Sequence, residues 1–272
     1  MMRKRGEDLE NKKTTGQQII TWWSASGGVG KTTLAVIQAY LLAKETKEKV
    51  ALLDFNEVTP CCSWYLGIEQ RDPAPVFGAV EKNELSSSFI ESNMAGYPEL
   101  SNLKVFTGVP LERSESFKVK HYTAIIDSLL SYPYIIIDTN PGIFFASCFA
   151  ALKKATAVNV VIGPACKSVY YTKKMIDFVV SKWEIPRNNF KLNLNKMCPG
   201  GVDPGTVKKG FKDTEVAGVF KYNPEIVEAF NSGKPFTKGF ESLVEELGVQ
   251  IERKKDIFSF FRRKRGEPVG AD

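Results

Sequence analysis

The stretch Ala25-Ser26-Gly27-Gly28-Val29-Gly30-Lys31-Thr32-Thr33 constrains this chain more than any other. Before it, Ile19-Ile20-Thr21-Trp22-Trp23 reads as a short buried strand. After it, the apolar run 34–43 reads as a helix. A glycine-rich turn between strand and helix gathers backbone N–H groups at the positive end of the helix, a concavity suited to phosphate. The spacing follows G-x-x-x-x-G-K-[ST], with Ala25 in place of the first glycine. In that pattern Lys31 reaches the β- and γ-phosphates and the Thr32 hydroxyl coordinates Mg²⁺. The cradle then comprises Ser26, Gly27, Gly28, Val29, Gly30, Lys31, Thr32 and Thr33. The alternative, an ordinary glycine turn with a surface lysine, does not account for the flanking strand and helix.

From residue 19 onward, short apolar runs alternate with amphipathic stretches, the signature of a parallel sheet covered by helices. Strands are predicted at 19–24, 50–54, 103–106, 134–138, 157–162, 190–195 and 216–220. Helices are predicted at 32–44, 122–131, 144–154, 168–180, 224–231 and 238–247. Residues 57–100 carry Pro, Gly, Asn and Ser and are the least legible part, with one or two short helices expected. A length of 272 residues suits one α/β domain. The expected fold is α/β and doubly wound, with a mostly parallel sheet of about seven strands flanked by helices. Its expected extent is 19–250, with a flexible basic arm over 1–18 and a basic, phenylalanine-containing tail over 251–272.

Two predicted strands end in an acid: Val50-Ala51-Leu52-Leu53-Asp54 and Tyr134-Ile135-Ile136-Ile137-Asp138. Ligands of open α/β sheets lie beyond the carboxyl ends of the strands, so both acids fall on the edge that carries the glycine loop. A strand-end Asp beside such a loop typically holds Mg²⁺, often through water, which assigns the metal to Thr32 and Asp138. Lys31, Asp54 and Asp138 are the candidate catalytic groups. Gly142, in Asp138-Thr139-Asn140-Pro141-Gly142, would supply a peptide N–H able to move towards a γ-phosphate. Helix capping is the competing role for an isolated strand-end Asp.

These residues, with the segment Val219-Phe220-Lys221-Tyr222-Asn223-Pro224-Glu225, resemble the MinD/ParA class of P-loop ATPases over roughly residues 19–247. The segment Thr59–Ile68 is similar to the corresponding part of the CpaE/TadZ pilus-assembly branch. The resemblance implies a P-loop NTPase fold, binding of ATP with Mg²⁺, and a nucleotide-linked homodimer that positions other machinery on a membrane or nucleoid. It places Asn195 where a side chain reads the adenine edge; capping a turn is the alternative there. Two departures bear on activity. The family's first loop lysine, which reaches across the dimer, is here Ser26. The second acid of the family's Asp-x-Asp, which orients the attacking water, is here Asn56. An amide neither accepts a proton as a carboxylate does nor carries charge, and losing one positioned group commonly costs about 10²–10⁴ in rate. Glu57 is adjacent but is expected to point to the other side of the strand continuation. ATP binding with slow or absent hydrolysis follows.

The formal charge of +6 is concentrated at the two ends. Residues 253–265 place Ile257, Phe258, Phe260 and Phe261 between basic clusters, a composition suited to the boundary of an anionic bilayer. A solvated tail, nucleic-acid contact and packing on the chain's own core stay open. The expected location is cytoplasmic and peripheral at the inner face of the membrane. The start lacks the apolar region of a signal peptide, and no run approaches the apolar length of a membrane span. Three functions compete: a positioning or assembly factor for a pilus or secretion machine, a ParA-like DNA partition ATPase, and a degenerate nucleotide-binding scaffold acting through protein partners.

The five cysteines lack C-x-x-C spacing and read as reduced thiols, with Cys61-Cys62 an unsuitable disulfide pair without a metal partner. His121 reads as a solvated turn histidine. Trp22 and Trp23 are expected on opposite faces of the first strand. Tyr170 and Tyr171 are expected to face one in and one out.

Overall fold

The computed structural model describes residues 16–251. The basic stretch 253–265 and most of the arm lie outside these residues. The first half runs β1 (Gln18–Trp23), α1 (Lys31–Thr46), β2 (Val50–Phe55), α2 (Cys62–Tyr65), α3 (Ala74–Glu81), α4 (Ser87–Asn93), β3 (Ala95–Tyr97) and β4 (Leu100–Phe106). It continues with α5 (Leu111–Ser114), α6 (Val119–Asp127), β5 (Tyr134–Thr139), α7 (Ala146–Lys154) and β6 (Ala157–Ile162). The remainder is α8 (Cys166–Trp183), β7 (Phe190–Met197), α9 (Pro204–Gly210), β8 (Glu215–Lys221), α10 (Glu225–Asn231) and α11 (Ser242–Glu245).

The eight strands form one sheet in the order β3-β4-β2-β5-β1-β6-β7-β8. Every neighbouring pair is parallel except β3 with β4, which is antiparallel. β1, β2 and β5 are adjacent, and the register sets Asp54 opposite Asp138. Both acids and the loop after β1 therefore leave the sheet at its carboxyl edge. All six residues of β2 are buried, as expected of a central strand covered on both faces.

Successive side chains of a strand point to opposite faces, and the two tryptophans use this directly. Trp22 packs with α1, Leu243 and Val244 on one face. Trp23 packs with Ile176 and Val179 of α8 on the other. Neither is exposed, and each indole N–H has an acceptor: Gln38 Oε1 at 2.8 Å for Trp22 and the Gly142 carbonyl at 2.5 Å for Trp23. The Gln38 amide also donates to the Leu243 carbonyl at 2.7 Å, tying α1 to α11.

Several expectations need correction. The first strand starts one residue earlier than predicted, at Gln18, and Gln17 donates to the Leu129 and Tyr132 carbonyls. The stretch 57–100 holds three helices and an edge strand, where one or two helices were expected. The helix predicted at 238–247 shrinks to the single turn of α11, because Gly239 adopts φ +84°. Tyr170 and Tyr171 both face outward.

His121 is not solvated. It is fully buried in the first turn of α6, its Nδ1 accepting from the Lys118 N–H at 2.9 Å. Its Nε2 lies 2.7 Å from Glu81 Oε1, and its ring stacks on Phe77 with centroids 4.6 Å apart. Hydrogen bonds from Lys120 and His121 hold the Glu81 carboxyl below the usual glutamate range. We expect His121→Ala to lower unfolding free energy by about 2–3 kcal/mol in urea titrations, through a cavity and a lost helix-start bond. A change within error would mean that the ring is solvated after all.

Candidate functional site

The loop after β1 builds a cleft of about 290 Å³ lined by residues 27–33 with Asn56, Thr59, Cys61, Tyr65, Pro141 and Lys196. Gly30, at φ +92°, is the N-cap of α1; it offers no capping side chain, and the first turn holds no acid. A helix start leaves its first N–H groups without intrahelical partners, so this end is open to an anion. A Cβ at Gly30 would also collide with the Asn195 amide, so the position excludes any side chain on two grounds.

Beneath the cleft, Thr32 Oγ1 donates to Asp138 Oδ2 at 2.6 Å, and Lys31 Nζ stands 3.8 Å from Asp138 Oδ1. Asp138 is fully buried, and its Oδ1 has no hydrogen-bond partner among the described residues. An orphaned carboxylate oxygen beside a hydroxyl is a hard-oxygen donor set of the kind Mg²⁺ takes, usually with waters completing the shell. Burial raises the Asp138 carboxyl above its ordinary range, and the Lys31 charge and Thr32 hydroxyl oppose that rise.

Asp54 has a different setting. It is fully buried, and its Oδ2 accepts from the Cys61 and Cys62 N–H groups at 2.7 and 2.8 Å. Its Oδ1 accepts from the Asn56 N–H at 3.1 Å. The side chain thus folds the loop 56–62 over the cleft; it does not line the cleft itself. Burial first, and the neighbouring Asp138 charge second, push its pKa from 3.8 up to about 7.

Asn56 faces the cleft as a wired amide. Its Oδ1 accepts from Asn140 Nδ2 at 2.9 Å and from the Thr59 N–H at 3.2 Å, while its Nδ2 donates to Thr59 Oγ1. Glu57, the nearest other acid, points away as expected. Its Oε1 accepts from the Ser147 N–H at 2.8 Å and caps the start of α7.

Other predicted site residues fall elsewhere. Ser26 does not line the cleft; its carbonyl accepts from the Ser24 hydroxyl. Asn195 Nδ2 donates to the Val29 carbonyl of the loop at 2.9 Å. The Gly142 N–H is held by the Ser24 carbonyl at 2.8 Å, and its own carbonyl takes Trp23 and Cys148. Among the described residues, Cys62 Sγ and the Asp54 and Asp138 carboxylates lie within 4.8 Å of one another, so this thiol does have acidic neighbours. The cysteines are all free thiols, as expected.

The reading missed Lys196, whose Nζ donates to the Gly28 carbonyl at 2.8 Å while its backbone adopts φ +57°. It also missed Thr59, Cys61, Tyr65 and Asn140. Burial first, then Asp54 and Asp138, push the Cys61 thiol up to about 12, so it stays protonated beside the cleft.

The CobQ/CobB/MinD/ParA nucleotide binding domain family matches residues 20–236. The chain belongs to this family. It is 25% identical over 268 residues to the septum site-determining protein MinD of Helicobacter pylori, covering 91% of this chain and 95% of that protein. Among solved structures it is similar to Pyrococcus horikoshii MinD complexed with Mg-ADP, at TM-score 0.70 and 21% identity, covering 90% of this chain and 98% of that one. It is also similar to the MinC:MinD cell division protein complex of Aquifex aeolicus, at TM-score 0.71 and 19% identity, covering 88% and 99%. These structural likenesses show the MinD/ParA P-loop ATPase fold. No helix among the described residues is long and apolar enough to cross a membrane.

A carboxyl whose folded-state pKa is raised keeps its proton longer than in the unfolded chain, so it subtracts stability as pH rises. We expect the metal-free protein to lose unfolding free energy through Asp54 from pH 3.8 towards 7, with no further loss from this group above that. Asp54→Asn should flatten this part of the curve in urea titrations run across that range. An unchanged slope would show that Asp54 titrates as an ordinary carboxylate.

Proposed function

We propose that this MinD/ParA-family chain is an ATP-binding positioning or assembly factor whose nucleotide controls its association. The observation that carries this reading is the buried constellation of Thr32, Lys31 and Asp138 under a glycine cradle. When bound, Mg²⁺ would neutralise charge on the phosphates. Thr32 and Asp138 are the residues that would hold it. Lys31 would meet the terminal phosphates, and the open N–H groups at the start of α1 would bind phosphate oxygens. Lys196, through Gly28, steadies the loop that presents them.

Hydrolysis is slow or absent in this proposal, for a reason that rests on Asn56. An amide whose oxygen already serves Asn140 and Thr59 has no basic site with which to take a proton from water. Glu57 cannot substitute, because it caps α7. The chain would then act by holding nucleotide and associating with a second copy or a partner, as expected of a switch with a long-lived loaded state. A pilus or secretion machine is the proposed setting, with residues 253–265 supplying contact with an anionic membrane face.

Single-turnover assays at saturating Mg·ATP test the catalytic part. Wild type should turn over far more slowly than Asn56→Asp, which we expect to gain about a hundredfold or more. A wild-type rate equal to that of the variant would remove the argument from Asn56. Sedimentation with ATP against ADP tests the association, and equal masses in the two would contradict it. For the tail, vesicles containing phosphatidylglycerol should pellet the full chain and not a chain ending at residue 252.

A further inference from the structure

Among the described residues, one cluster joins a sulfur to carboxylate oxygens, and it lies directly under the cleft. The register of β2 and β5 sets Asp54 beside Asp138, and the loop that Asp54 folds brings back Cys62, the first residue of α2. The Cys62 thiol and the two carboxylates each offer one donor atom, and these three atoms lie within 4.8 Å of one another. All three side chains are fully buried. Their surroundings do not balance their charge. Asp54 is met by three backbone N–H groups, and the ammonium at ion-pair distance, Lys31, serves Asp138 at 3.8 Å. Asp138 Oδ1 is an independent sign of a missing ligand: a buried carboxylate oxygen with no hydrogen-bond partner among the described residues. Two carboxylates buried together are costly unless a cation joins them.

We propose that Asp54, Cys62 and Asp138 form a thiolate–carboxylate site for Zn²⁺. The sulfur decides the class of ion. Mg²⁺ takes oxygen ligands in an octahedral shell and keeps several waters, whereas a thiolate favours Zn²⁺. Zn²⁺ takes four ligands at about 2.0–2.3 Å, so three closely set side chains and one water complete its shell. Thr32 and Cys61 line the cleft above, which gives the ion and that water their way in. On binding, the Cys62 thiol releases its proton to solvent, and one thiolate with two carboxylates then meets a doubly charged ion. The site shares Asp138 with the Mg²⁺ position proposed above. Resting on that reading, Zn²⁺ and Mg·ATP exclude each other, and Zn²⁺ holds the chain free of nucleotide.

The test titrates Co²⁺, as a spectroscopic probe for Zn²⁺, into the reduced and metal-free full chain. Wild type should bind one Co²⁺ per chain with a near-ultraviolet sulfur-to-cobalt charge-transfer band, and one equivalent of Zn²⁺ should bleach it. Cys62→Ser and Cys62→Ala should both abolish the band, and Asp54→Asn should weaken Co²⁺ binding by about tenfold or more. Cys166→Ser/Cys198→Ser, which removes the two exposed thiols, should leave the band intact. Urea midpoints equal to that of wild type establish that the Cys62 variants fold. The proposal is overturned if wild type shows no such band, if the band survives in both Cys62 variants, or if it is lost with the exposed thiols. In a buffer that fixes free Co²⁺, saturating Mg·ATP should weaken Co²⁺ binding by about tenfold or more. A band that needs Cys62 yet ignores Mg·ATP would uphold the zinc site and overturn both the exclusion and the assignment of Mg²⁺ to Asp138.

Discussion

Two carboxylates buried side by side at the edge of an apolar sheet are the constraint around which this molecule is built. Burying a charge is costly unless something nearby stabilises it. Asp54 and Asp138 lie opposite each other on β2 and β5, and each meets a different compensation. Asp54 collects three backbone N–H groups and so folds the loop that covers the cleft. Asp138 collects a hydroxyl and, at ion-pair distance, an ammonium, both from the start of α1. It keeps one oxygen without a hydrogen-bond partner among the described residues. The first acid shapes the site, and the second is the one we propose to hold Mg²⁺.

The same logic explains why the central elements were legible and the peripheral ones were not. β1, β2, β5 and β6 are mostly apolar runs ended by glycine, acid or turn residues, and their bounds agree with those predicted within one residue. Both acids fall on the predicted edge, where Thr32 Oγ1 donates to Asp138 Oδ2. The stretch 57–100 was opaque because its helices are short and its chain direction is set by tertiary anchors. Asp54 binding Cys61 and Cys62 is one such anchor, and the Thr107 hydroxyl accepting from the Arg71 N–H at 2.8 Å is another. No local pattern encodes a bond between residues so far apart.

Single side chains were misread for a related reason. A histidine among lysines looks solvated, yet Glu81 from α3 and the rings of Phe77 and Phe117 enclose His121. Asn195 lies near the end of β7, where its amide binds the Val29 carbonyl, a contact that the sequence reading did not include. Lys196 follows it in sequence and was passed over, because its left-handed backbone cannot be read from composition. In each case a contact from another element decides the role, and the family resemblance alone does not.

Calorimetric titration of the protein with ATP, in Mg²⁺ and again in EDTA, tests the central claim most directly. The account predicts one site per chain, tighter with Mg²⁺ than without, and loss of that Mg²⁺ dependence in Asp138→Asn while weaker nucleotide binding persists. Heat of binding that is absent in both buffers, or unaffected by Mg²⁺ in the wild type, would contradict it.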